Sequence, residues 1–150
     1  MSTNVESQPQ MPQPSEQLKA LQKLIGRWRV TGGVDGTVTY RWMEGGFFLL
    51  QDVDLIQNGI QIIGMEIIGH LRPFGEPESP ALMSRFYDNQ GNTLDYEYEI
   101  SGDDLTIWAG AKGSPAYFKG TFSQDGRINQ GSWVYPEGYG YESTMTKIEK

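Results

Sequence analysis

Leu18-Lys-Ala-Leu-Gln-Lys-Leu-Ile-Gly-Arg-Trp-Arg-Val30 joins two periodicities at a single glycine. Leu18, Leu21, Leu24 and Ile25 recur at helical spacing, Ser15 stands where an N-cap belongs, and Glu16 puts a carboxylate in the first turn. Gly26 stops that helix. From Trp28 the period is two, with Trp28 and Val30 on one face and Arg27 and Arg29 on the other. A helix of about three turns or fewer has no stability of its own in water, so its leucine stripe must dock. Everything after it that could receive the stripe reads as strand.

Outward from that stretch, turn signals divide the chain at intervals of about ten residues. They are Gly32-Gly33, Gly45-Gly46, Asn58-Gly59, Asn89-Gln90-Gly91, Gly102-Asp103, Gly113-Ser114-Pro115, Gln124-Asp125-Gly126 and the segment Pro136 to Gly140. Strands are expected near residues 26–30, 37–44, 47–55, 60–71, 81–88, 93–100, 105–111, 117–122, 128–135 and 141–148. The sixth alternates cleanly, Leu94, Tyr96, Tyr98 and Ile100 against Asp95, Glu97 and Glu99. The fourth is apolar on both faces apart from Gln61, Glu66 and His70, and its Gly64 and Gly69 predict a bend or bulge. Only one long internal loop, Arg72 to Pro80, interrupts the series. An even number of hairpin-linked strands without long crossovers predicts an all-β fold, an up-and-down antiparallel barrel of about ten strands with the short N-terminal helix plugging one end. A β-sandwich is the competing architecture.

The 150 residues fit one domain, a disordered tail rich in Gln, Pro and Ser over 1–14 followed by the barrel over 15–150. Acidic residues outnumber Lys and Arg by 19 to 12, giving a formal net charge of −7. Such a surface repels phosphate backbones and anionic headgroups, so neither nucleic acid nor a membrane surface is an expected partner. The absence of cysteine excludes disulfides, thiolate metal sites and a cysteine nucleophile. The N-terminus carries neither the basic region nor the apolar run of a signal peptide, and no stretch approaches the ~18 apolar residues of a membrane helix. A cytoplasmic location is therefore expected.

The helix, the Gly26-x-Trp28 that follows it and a meander ending in Thr146-Lys147-Ile148 resemble the calycin superfamily of lipocalins and fatty-acid-binding proteins. The resemblance implies that Trp28 seals the barrel floor and that Lys147 on the last strand lies over it in a cation–π contact. Lysine stands there in place of the usual arginine and lacks its planar stack. Glu44 to Leu49, Gly64-x-Glu66-x-Ile68-Gly69, Tyr87-Asp88, Gly140-Tyr141-Glu142 and Met145-Thr146 are similar to a bacterial lipocalin-like family of unknown function, over residues 18–149. That second resemblance implies a fold and brings no activity with it. His70-Leu71 departs from the aromatic residue and Asp that members often carry after the glycine matching Gly69, so a role for His70 would not be a family trait.

Barrels of about eight to ten strands can hold one small ligand, and seven side chains are candidates for touching it: Glu66, His70, Arg85, Tyr96, Tyr98, Trp108 and Trp133. Glu66 shares a strand face with Gly64, Ile68 and His70; facing inward it would be a buried carboxylate with a raised pKa, facing outward a charge paired with Arg41 or Arg85. His70, the only histidine, is expected at the barrel mouth beside the proline loop. It lies about 13 Å along the strand from Glu66, too far for the two to chelate one ion, and no metal or cofactor is expected. Arg85 shares a face with Met83 and Tyr87, and an inward arginine would hold a carboxylate by its bidentate fork, whereas an outward one would pair with Asp95 or Glu97. The tyrosines and tryptophans supply core, or cavity walls with polar tips. The leading expectation is a small apolar or amphipathic molecule bound in the interior. The alternatives are an isomerase or hydrolase using Glu66 oriented by Arg85 or His70, and a ligand-free module that forms a homodimer through Phe47, Phe48 or the Tyr139–Tyr141 region.

Overall fold

Ser15 caps helix α1 (Glu16–Ala20) in the computed structural model, which describes residues 11–149: its Oγ accepts from the Leu18 amide at 3.1 Å. The helix tightens at once into a 3₁₀ turn over Leu21–Leu24, and Leu18, Leu21 and Leu24 are all fully buried. The first ten residues of the expected disordered tail lie outside the described residues; residues 11–15 have no regular secondary structure. No helix among the described residues is long and apolar enough to cross a membrane.

Ten strands follow: β1 (Gly26–Gly32), β2 (Asp35–Trp42), β3 (Leu49–Gln57), β4 (Ile60–His70), β5 (Leu82–Asp88), β6 (Thr93–Ser101), β7 (Asp104–Ala109), β8 (Tyr117–Phe122), β9 (Ile128–Val134) and β10 (Tyr141–Glu149). Each pairs antiparallel with its neighbours in sequence, and β10 returns to β1, so the sheet closes and leaves no edge. This closed up-and-down barrel with one short helix fits a calycin-like fold. Because the strands alternate in direction, odd strands start at the helix end and even strands finish there. The turns at the opposite end join β1 to β2, β3 to β4, β5 to β6, β7 to β8 and β9 to β10.

The floor is built around Trp28, which has no exposed surface. Its indole Nε1 donates to the Leu24 carbonyl at 2.8 Å, satisfying one orphan acceptor at the end of the helix. Its ring lies 6.3 Å from that of Phe122, and Lys147 Nζ stands 5.0 Å above it. Lys23 clamps the helix from the other side, its Nζ donating to the Gly102 carbonyl at 2.6 Å. Burying a side chain of this size stabilises by about 3 kcal/mol, which a stripe of three leucines and one indole multiplies into a fixed plug.

Two local expectations are corrected. Phe47 and Phe48 are not in a strand: β2 ends at Trp42, Gly45 and Gly46 adopt positive φ, and the Met43 amide donates to the Phe48 carbonyl at 2.8 Å to close a loop. Gly64 and Gly69 do not form a bulge, since β4 keeps continuous register with both β3 and β5. They allow close approach instead. A Cβ on Gly64 would meet the Tyr87 carbonyl oxygen at 2.2 Å, and one on Gly69 would meet the Phe48 ring at 2.6 Å.

Candidate functional site

Alternation along each strand sends one face inward, and the inward residues change character with height. On β4 the inward series runs Ile62, Gly64, Glu66, Ile68, His70 from the open end to the helix end. Ile68 is fully buried in the floor together with Leu49, Leu82 and Trp28. Above that layer lies a cavity of about 420 Å³, within the usual range for small-molecule sites. Its wall is mostly aliphatic and aromatic: Val38, Val53, Leu105 and Ile107 on one hand, Tyr96, Phe118 and Trp133 on the other. The Trp133 ring is tilted against both Tyr96 and Phe118, at 5.9 and 5.6 Å between centroids.

Glu66 stands at the inner end of this cavity, 4 % exposed, between Gly64 and Ile68 on the inward face of β4. Its two oxygens have separate donors: the Ser84 hydroxyl gives to Oε2 at 2.5 Å and the Tyr98 hydroxyl to Oε1 at 2.8 Å. Beside it the Gln51 amide donates to the Tyr40 hydroxyl at 2.8 Å, which leaves the Tyr40 proton for another acceptor. Burial drives the Glu66 carboxyl up to about 7, against the lowering effect of its two hydrogen bonds. Burial and the neighbouring Glu66 charge together push Tyr40, Tyr96 and Tyr98 above the ordinary tyrosine value, so all three are neutral hydroxyls. The result is a carboxyl poised between two protonation states in a ring of neutral donors. Among the described residues, none that lines the cavity is Lys, Arg or His.

Four of the seven candidates from the sequence therefore line this cavity, Glu66, Tyr96, Tyr98 and Trp133. The other three do not: Trp108 and His70 are corrections, and Arg85 takes the outward alternative, so its place as a ligand contact is corrected too. Arg85 lies on the outer face with Met83 and Tyr87, where its guanidinium grips Asp95 of β6 through two hydrogen bonds of 2.7 and 3.1 Å. The inward residues of β5 are Leu82, Ser84 and Phe86. Trp108 is also outside, because Leu105, Ile107 and Ala109 occupy the inward positions of β7, and Lys112 Nζ sits 5.6 Å over its ring. His70 is buried, but at the helix end and not at the mouth: Nε2 is 2.7 Å from Ser15 Oγ and Nδ1 is 3.2 Å from the Ala81 carbonyl oxygen. It ties the N-cap of α1 to β4. Glu66 consequently has neither Arg85 nor His70 within reach, and Ser84 and Tyr98 take the orienting places that the enzyme alternative gave to them.

Three polar residues of the cluster around Glu66 escaped the sequence reading, Tyr40, Gln51 and Ser84. Each is a single polar residue set among apolar ones two positions away, Tyr40 between Val38 and Trp42, Gln51 between Leu49 and Val53, Ser84 between Leu82 and Phe86. That pattern was the available signal. Among the described residues no group of His, Cys, Asp or Glu could hold a metal ion. Of the residues considered for dimer formation, Phe47 and Phe48 are half-buried and Tyr139 is exposed. No protein-family model matches the chain, and no curated protein matches it at a significant level.

Proposed function

We propose that the barrel is a binding module that holds one small amphipathic molecule in its interior. The observation that carries this reading is the cavity of about 420 Å³ whose apolar wall ends inward on one convergent polar cluster, Glu66 with Ser84 and Tyr98 and, next to it, Tyr40 with Gln51. A core evolved only for stability would be filled, because each unfilled volume forfeits dispersion contacts. The floor of helix, Trp28 and Lys147 supports a further part of the proposal, that the chain is a lipocalin-like member of the calycins. Titration with octanol, followed by intrinsic tryptophan fluorescence and by calorimetry, tests the reading. Saturable binding of one equivalent is expected; no binding of octanol or of any other small amphiphile would refute it.

A further inference from the structure

Resting on that reading of the cavity, we propose that its ligand is a cationic amphiphile, an apolar body bearing a protonated amine, with the ammonium group held by Glu66 at the inner end. The charge inventory of the wall points this way. Among the described residues three carboxylates line the cavity, Glu66, Asp88 and Asp95, and no cationic side chain does. Asp95 is committed to Arg85 outside, and Asp88 is committed to its own turn through the Gln90 and Asn92 amides and the Asn92 side chain. Glu66 is the one of the three that is buried, and its donors are two neutral hydroxyls. An ionised carboxylate offers about four acceptor positions, of which Ser84 and Tyr98 occupy two. An anionic ligand would meet a carboxylate with no arginine to receive its own, whereas an ammonium would complete the hydrogen bonding of Glu66 and neutralise it.

The rest of the cavity suits the same ligand. The faces of Tyr96, Trp133 and Phe118 favour a cation near them, and the net charge of −7 raises the local concentration of cations at the mouth. The desolvation of Glu66 is already part of the folded state, so the ligand has only its own ammonium to desolvate. The groups facing Glu66 are Ser84 from β5, Tyr98 and Tyr96 from β6, Tyr40 from β2 and Gln51 from β3, and none of them changes charge between pH 5 and 8. Asp88 and Asp95 at the mouth are held below the ordinary carboxylate value by their hydrogen bonds and stay ionised throughout. His70 lies beyond Ile68 and faces Ser15. A pH dependence of amine binding in this window is thus assigned to Glu66.

The test compares octylamine, octanol and octanoate, which share one tail and differ in the head, by calorimetry on the full chain. At pH 8 octylamine is expected to bind about tenfold or more tighter than octanol, the effect of a charged hydrogen bond over a neutral one, and octanoate weakest. Lowering the pH to 5 protonates Glu66 and is expected to weaken octylamine binding about tenfold with little change for octanol. In Glu66→Gln the amine should lose its advantage while octanol still binds; the pH series on the unaltered chain gives the same answer without a variant. Octanol binding with no preference for the amine, or a preference for octanoate, would overturn the inference and leave the cavity reading standing. If none of the three binds, both fall.

Discussion

Replacing Glu66 by Gln should make the protein more stable at high pH and no more stable at low pH. The folded-state carboxyl titrates near 7 because it is buried, against 4.5 for the unperturbed group. Between those values the folded state holds a proton that the unfolded state has lost, so stability falls as pH rises through the window. At about 1.4 kcal/mol per pH unit, the shift costs about 3 kcal/mol once pH exceeds 7. Below 4.5 both states are protonated and the cost vanishes. Glutamine keeps an acceptor for Tyr98 or Ser84 and an amide that either hydroxyl can accept from, and it never ionises. Urea unfolding of the two proteins from pH 4 to 9 should give curves that coincide in acid and diverge by about 3 kcal/mol above pH 8, an advantage of roughly 6–12 °C in Tm for a chain of this size. Parallel curves across the whole range would refute the assignment of a buried, ionisable Glu66.

Other substitutions separate the floor, the cap and the outer face. Trp28→Phe removes the donor to the Leu24 carbonyl and leaves a void in the floor, so a loss of about 2 kcal/mol in urea unfolding is expected. Ser15→Ala removes both the N-cap of α1 and the partner of His70 Nε2; a loss of about 1 kcal/mol with unchanged m-value is expected, and hydrogen exchange should quicken in residues 16–24 before it does in the strands. Arg85→Ala removes an outward-facing guanidinium that pairs with Asp95 and interacts with Tyr87, so the octanol titration should match that of the unaltered chain. A loss of affinity in that variant would put Arg85 back in the site.

The barrel was legible because alternation and turn chemistry agree along nearly the whole chain. Leu94, Tyr96, Tyr98 and Ile100 against three acids leave one choice of inward face for β6, and the glycine-bearing turns set the strand count. The site was less legible, for physical reasons that differ from residue to residue. In β5 both faces carry apolar residues, Leu82 and Phe86 on one, Met83 and Tyr87 on the other, so the face of Arg85 is decided only by its register partner Asp95 across the sheet. The end of the barrel that holds His70 follows from the parity of hairpin-linked strands and not from its neighbouring proline loop: β4 is an even strand and must finish beside the helix. Trp108 shows another effect, a large aromatic on the outer face with the Lys112 ammonium over its ring. The hydrogen bonds of Glu66 depend on pairing across β4, β5 and β6, which no local pattern encodes.

The most direct test of interior binding is to locate the ligand by nuclear Overhauser effects between octanol and the methyl groups of the ¹³C-labelled protein. Contacts from the octanol chain to Val38, Val53, Leu105 and Ile107, which line the cavity, are predicted. Contacts confined to the exposed Ile56, Ile60 and Ile63 on the surface, with none to the interior set, would contradict the account.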